Sequence, residues 1–191
     1  EGQLGLGDTD NRDTFTVVTG LSGVVDIDAG RIHTIAVTVE GKLHTWGKGE
    51  AIGHGGDYNT QRLVPTKVTG GGIEEAVVVQ VAAGDDHSMA LTASGGLYSW
   101  GKGTDGQLGH GDKENLAVPR VVGGIGGAVG MAGGAGHSLV TTAEGRVLAF
   151  GGVLGSGEML GLGAEVGEAL VPTAIDGITM GEGDEGKEGK E

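Results

Sequence analysis

Three histidines at one recurring position are the first residues in this sequence whose types and spacing could do chemistry. His33, His87 and His137 each follow a glycine by three residues: Gly30, Gly84 and Gly134. Three neutral imidazoles brought together could hold a zinc ion. Each, however, sits in a separate copy of a repeat and recurs with it. The structural use is therefore expected, with the imidazole hydrogen-bonding its local turn, and no metal and no cofactor. Asp85 and Asp86 precede His87, and Arg31 lies in the sister turn, whereas Gly134-Ala135-Gly136-His137 carries no charge. Turn aspartates are commonly just solvated, yet these are the groups best placed to meet another protein. Arg31, His33, Asp85, Asp86, His87 and His137 are the candidate partner-binding residues.

Other suggestive motifs lack their context. Gly101-Lys102-Gly103-Thr104-Asp105-Gly106 matches a dinucleotide-binding fingerprint, but no helical pattern follows it, and Trp46-Gly47-Lys48-Gly49 repeats its start. Asp8–Asp13 resembles the opening of a calcium loop without the glycine and glutamate such a loop needs. No nucleophile elbow, zinc-protease helix or phosphate-binding loop is written in the chain, so an enzyme is not expected.

The elements that position these residues come from the stretch Val81–Asp112, which the rest of the chain copies. Two alternating runs, Ser88–Thr92 and Leu97–Trp100, flank the turn Ala93-Ser94-Gly95-Gly96, and a loop Gln107-Leu108-Gly109-His110-Gly111-Asp112 follows. Trp46, Trp100 and Phe150 each stand 13 residues after their histidine, and Gly41, Gly95 and Gly145 stand eight after it. The histidines are spaced by 54 and 50 residues. About four short strands per unit is the pattern of a β-propeller blade, in which Ala90, Leu97, Trp46 and Trp100 would be packing residues. The Val-Pro pairs at 64–65, 118–119 and 171–172 are expected to start strands, where a missing N–H breaks no ladder.

Composition agrees. Among 191 residues there are 44 glycines, 3 prolines and no cysteine. That glycine load serves tight turns, and no thiol chemistry is available. No apolar run approaches the ~20 residues of a membrane span. Net charge is −14, and the segment 181–191, with five acids and two lysines, leaves −11 on the rest. That sign disfavours nucleic acid and anionic membranes; it serves plain solubility first, and fits a basic protein partner or a basic patch on a GTPase.

The expected organisation is the end of a preceding repeat at 1–20, with Thr14–Thr19 as its closing strand. Repeats follow at 21–72, 73–124 and 125–178, then an acidic disordered tail at 179–191. The chain opens inside the loop motif, as a piece of a longer protein would. Three full repeats and a remnant leave an open arc, completed by missing repeats or by self-association.

Taken together, Ala82-Ala83-Gly84-Asp85-Asp86-His87 through Trp100-Gly101 and Gln107–Asp112 resemble the repeat of the regulator of chromosome condensation family, over residues 2–178. The resemblance implies an all-β, incomplete propeller of four-stranded blades. In that family's Ran exchange factors, acidic residues in the turn before this histidine lie on the GTPase-contacting face, and Gly84-Asp85-Asp86-His87 resembles that turn. The family also includes a plant photoreceptor with clustered tryptophans; Trp46 and Trp100, both at a blade-strand position, do not match it. The expected function is binding of a protein partner through one propeller face. The alternatives are nucleotide exchange on a Ran-like small GTPase, or a repeat module of a larger signalling protein or ubiquitin ligase. The expected setting is intracellular, cytoplasmic or nuclear.

Overall fold

The computed structural model describes residues 1–152, 160–163 and 166–179. Twelve strands form three four-stranded antiparallel sheets. The first blade holds β1 (Val24–Ala29), β2 (His33–Thr38), β3 (Leu43–Lys48) and β4 (Gln61–Lys67). The second holds β5 (Val78–Ala83), β6 (His87–Thr92), β7 (Leu97–Gly101) and β8 (Leu116–Val121). The third holds β9 (Ala128–Gly133), β10 (His137–Thr142), β11 (Arg146–Gly152) and β12 (Glu168–Thr179). Each sheet keeps sequence order, so consecutive strands of a blade pair with one another. The sheets stand side by side in an open arc, as the repeat count predicts. Two 3₁₀ turns, Glu50–Ile52 and Ile73–Glu75, are the helical elements among the described residues.

The apolar residues sit where blades meet. Ile35, Val37 and Leu43 of the first blade cluster with Val78, Val81 and Trp100 of the second. Met89, Leu91 and Leu97 of the second cluster with Val140, Leu148 and Phe150 of the third. Coverage on both faces shows directly in burial. All six residues of β6 in the middle blade are buried, whereas β10 alternates between buried and half-buried. On β1, Val24, Val25 and Ile27 remain exposed, because no sheet among the described residues stands against that face.

Two expectations are corrected. Thr14–Thr19 forms no strand: the segment is irregular, and Phe15 and Val17 are exposed. Its alternating pattern is strand-like, but no strand among the described residues lies beside it to accept its backbone hydrogen bonds. The Val-Pro pairs do not start strands either. Pro65, Pro119 and Pro172 lie inside β4, β8 and β12, the outermost strand of each blade. Each sits within a register shift against its inner neighbour: Thr45 to Gly47, Ser99 to Gly101, and Ala149 to Gly151. An edge strand with a bulge tolerates a residue that donates no hydrogen bond. The expected disordered tail lies outside the described residues from position 180 onward, and so do Gly157–Met159 of the third loop.

Candidate functional site

The Gly-x-x-His turns link strands one and two of each blade, at the same end of the sheets as the excursion between strands three and four. Their histidines face inward. His33 and His87 are 0% exposed, and His137 is half-buried. The imidazole does not bond its own turn, as the repeat pattern suggests it would. It reaches the next blade: His33 Nε2 lies 2.8 Å from Ser88 Oγ, and His87 Nε2 lies 2.9 Å from Ser138 Oγ. Its ring instead packs onto the turn glycine. A β-carbon on Gly84 would fall 2.1 Å from His87 Cε1 and 2.4 Å from the Gly134 carbonyl. Gly84→Ala is therefore expected to force the turn and the seam apart, at about 1–3 kcal/mol. Urea unfolding checks this, with Gly123→Ala, which would meet nothing within 4 Å, as the control.

The serine fixes the tautomer. Ser88 Oγ donates to the Ala51 carbonyl at 2.8 Å, so His33 must donate its Nε2 proton to Ser88. The same carbonyl accepts the Trp100 indole N–H at 2.8 Å. One backbone oxygen of the first blade thus anchors two side chains of the second. Ser138 donates likewise to the Gln107 carbonyl at 2.8 Å in the next seam. Upstream, Thr34 and the Trp46 indole both donate to the Gln3 carbonyl, each at 2.9 Å. The bare Nδ1 of His33 and His87 has no partner. Burial, above all, pushes both imidazoles down to about 4, so they are neutral at physiological pH.

The glycine after the loop's leucine or isoleucine explains why the next aromatic is so well enclosed. A β-carbon on Gly53 would stand 2.8 Å from Trp100 Nε1, and one on Gly109 would stand 2.8 Å from a Phe150 ring carbon. Both glycines also have positive φ, 75° and 74°, which an L side chain rarely adopts.

Sequence reasoning missed two further sets. His54 and His110 bond the hydroxyls of Thr45 and Ser99 at 3.0 Å, tying each loop to its own third strand. Their signal was recurrence one position after the cap glycine. Asp26 and Asp28 bridge the inner strands of two blades. Each carboxylate accepts a backbone N–H of its own strand, from Ile27 or Ala29. Each also accepts one across the seam, from Val81 or Ala83, at 2.9 Å. Acids alternating in an otherwise apolar strand, Val24-Val25-Asp26-Ile27-Asp28, were the clue.

On the outer surface of these turns, Arg31 and Asp86 meet across the first seam. Arg31 Nη2 lies 2.6 and 2.8 Å from the two Asp86 oxygens, and Nε lies 3.2 Å from one of them. Their side chains are 52% and 25% exposed. The Asp86 hydrogen bonds raise the Arg31 pKa from its usual value. The Arg31 N–H also donates to the Asp85 carbonyl at 2.9 Å, while the Asp85 side chain points to solvent. Arg31, Asp85 and Asp86 thus converge on one surface, with His33 and His87 beneath it and His137 in the third blade. No cluster of three or more metal-ligating side chains occurs among the described residues.

Comparison with known proteins fits this architecture. The description "Regulator of chromosome condensation (RCC1) repeat" matches residues 40–91 and 94–141, and a second form of that repeat matches 78–107. The human E3 ubiquitin-protein ligase HERC2 is 36% identical over 189 residues, which is 93% of this chain and 4% of HERC2. The crystal structure of human WBSCR16 superposes with a TM-score of 0.79 at 29% identity, over 91% of this chain and 44% of that one. The Saccharomyces cerevisiae protein Prp20p, described with its binding to Gsp1p and histones, gives a TM-score of 0.70 at 26% identity, over 82% and 39%. The chain therefore spans less than half the length of each of these relatives. Repeated blades, the inter-blade histidine–hydroxyl link and these matches agree: the chain belongs to the regulator of chromosome condensation (RCC1) repeat family.

Proposed function

We propose that this chain works by binding another protein through the face that carries the Gly-x-x-His turns. The observation behind this reading is the Arg31–Asp86 pair, held bidentately across a seam yet half open to solvent beside the exposed Asp85. A polar, pre-positioned patch on rigid blades is the kind of surface that gives a partner its orientation and register. Arg31, Asp85 and Asp86 would touch the partner, and His33 and His87 would hold the turns from below. His137 is the third blade's contribution. An intracellular setting, cytoplasmic or nuclear, goes with this reading. Arg31→Glu combined with Asp85→Lys should abolish capture of partner by the full-length protein. The melting temperature should barely move, since an exposed ion pair contributes less than about 1 kcal/mol. Capture unchanged by the double substitution would refute the assignment of this face.

Nucleotide exchange on a Ran-like small GTPase is the second reading, favoured by the likeness to Prp20p. Among the described residues no loop is inserted beyond the repeat's own connections, and a wedge into a nucleotide site would need one. Release of a fluorescent GDP from such a GTPase, accelerated by the full-length protein, would establish it. A repeat module within a larger ligase or signalling protein is the third, in keeping with the 4% of HERC2 that the chain spans.

A further inference from the structure

The first seam contains a cavity beside a stretch of loop that is two residues shorter than its counterpart in the next repeat. Trp46 stands seven residues before its cap glycine, Gly53, whereas Trp100 stands nine before Gly109. In the longer loop, Asp105 reaches across the second seam, its carboxylate 3.3 Å from where a β-carbon on Gly136 would stand. The shorter loop, Lys48-Gly49-Glu50-Ala51, leaves that space open. The result is a cavity of about 280 Å³ lined also by Ile32, Tyr58, Asp86, Lys102 and Asn115. It opens on the face that carries Arg31 and Asp86. Its volume lies at the lower end of small-molecule pockets, which run from ~300 Å³, so it suits one side chain rather than a cofactor.

The charges around it decide which side chain. Lys48 is paired with Glu1 at 3.1 Å, Lys102 with Asp105 at 3.2 Å, and Asp86 with Arg31. Glu50 makes no ion pair and no side-chain hydrogen bond among the described residues, so of the four charged residues that line the cavity it alone has no ion-pair partner. Tyr58 is 51% exposed and already carries a cation on its ring, the Lys48 ammonium 5.4 Å from the centroid. A carboxylate without an ion-pair partner and a half-exposed aromatic ring in one cavity lining suit a planar, delocalised cation, which can bond the first in bidentate fashion and stack on the free face of the second. The chain's net charge of −14 attracts basic partners to it.

We infer that this cavity is a pocket for an arginine side chain of the partner protein. The inference rests on the reading that this face binds protein, and it names the anchor. The test is an amide NMR titration of the chain with acetyl-Gly-Arg-Gly-amide, and with the lysine and glutamate peptides as comparisons. The arginine peptide should shift the amides of Lys48–Ala51, Tyr58, Asp86 and Asn115, the lysine peptide should shift them less, and the glutamate peptide should not. Glu50→Gln should weaken arginine-peptide binding at least about tenfold, the loss expected for one charge-assisted contact, without changing the fold. Equal response to arginine and lysine, indifference to Glu50→Gln, or preference for the glutamate peptide would each overturn the inference. The broader reading is judged separately: if Glu50→Gln leaves partner capture intact while Arg31→Glu with Asp85→Lys abolishes it, the face stands and the arginine pocket does not.

Discussion

Truncation of Trp100 to alanine is expected to destabilise the chain by about 3–5 kcal/mol, the range for removing a large aromatic from a packed core. The ring is 0% exposed and lies in the cluster that joins the first two blades. Its loss would leave a cavity that the neighbouring β-sheets cannot collapse into, and would strip one of two donors from the Ala51 carbonyl. Trp46 is equally enclosed, at 3% exposed, and bonds the Gln3 carbonyl in the same way. Trp100→Phe separates the two contributions. It keeps most of the volume, as Phe150 does at the equivalent position of the third blade, and should retain most of the stability. Equilibrium unfolding monitored by circular dichroism gives the numbers. A loss below about 1 kcal/mol for Trp100→Ala would mean that the seam is not packed as described.

Acidification should loosen the same seams. His33 and His87 are neutral and buried, with pKa values of about 4 against an ordinary 6.5. The unfolded chain therefore takes up protons before the native one. Stability is fully present above about pH 6.5, is lost as pH falls from there, and stops falling near pH 4, where the native imidazoles also protonate. Each histidine accounts for roughly 3 kcal/mol over that window, since one pKa unit corresponds to ~1.4 kcal/mol. A folded domain has ~5–15 kcal/mol in total, so two such losses are substantial. The cause is local. The Nε2 proton is committed to Ser88 or Ser138, and a second proton on Nδ1 would be buried without an acceptor. Urea midpoints measured from pH 7.5 to 4.5 should fall steadily, and His87→Gln should flatten the profile. A midpoint independent of pH in both proteins would contradict the buried, neutral assignment.

The recurrence of histidine, glycine and aromatic at fixed intervals made the fold class legible without coordinates. A blade is a local object, and its strands pair with sequence neighbours, so spacing alone specifies it. The burial of Trp46 and Trp100 followed for the same reason: a residue that recurs with the unit serves the unit. The direction of the histidine bond was not legible. Ser88 lies 55 residues from His33 in sequence, and nothing in the turn Gly30-Arg31-Ile32-His33 marks a partner so distant. The pairing of Arg31 with Asp86, and the carboxylate bridges of Asp26 and Asp28, span the same interval. Stacking of one blade on the next creates all of these contacts.

The proline pairs and Thr14–Thr19 show the boundary from the other side. Alternation and proline position describe what a segment can do, but whether it becomes a strand depends on what stands beside it. Val64-Pro65 enters a sheet because β3 is there to pair with, at the edge where a bulge absorbs the missing N–H. Thr14–Thr19 has the alternation and no such neighbour. The cavity has the same origin. The sequence records that the stretch from Trp46 to Gly53 is two residues shorter than that from Trp100 to Gly109, but only the second blade, standing beside that loop, turns the difference into a cavity with Glu50 and Tyr58 on its wall. Local pattern determined the blade, because its hydrogen bonds close between neighbours in the chain. The packing of one blade against the next decided the seams and the site, because those contacts join residues some fifty positions apart, too far for local spacing to encode.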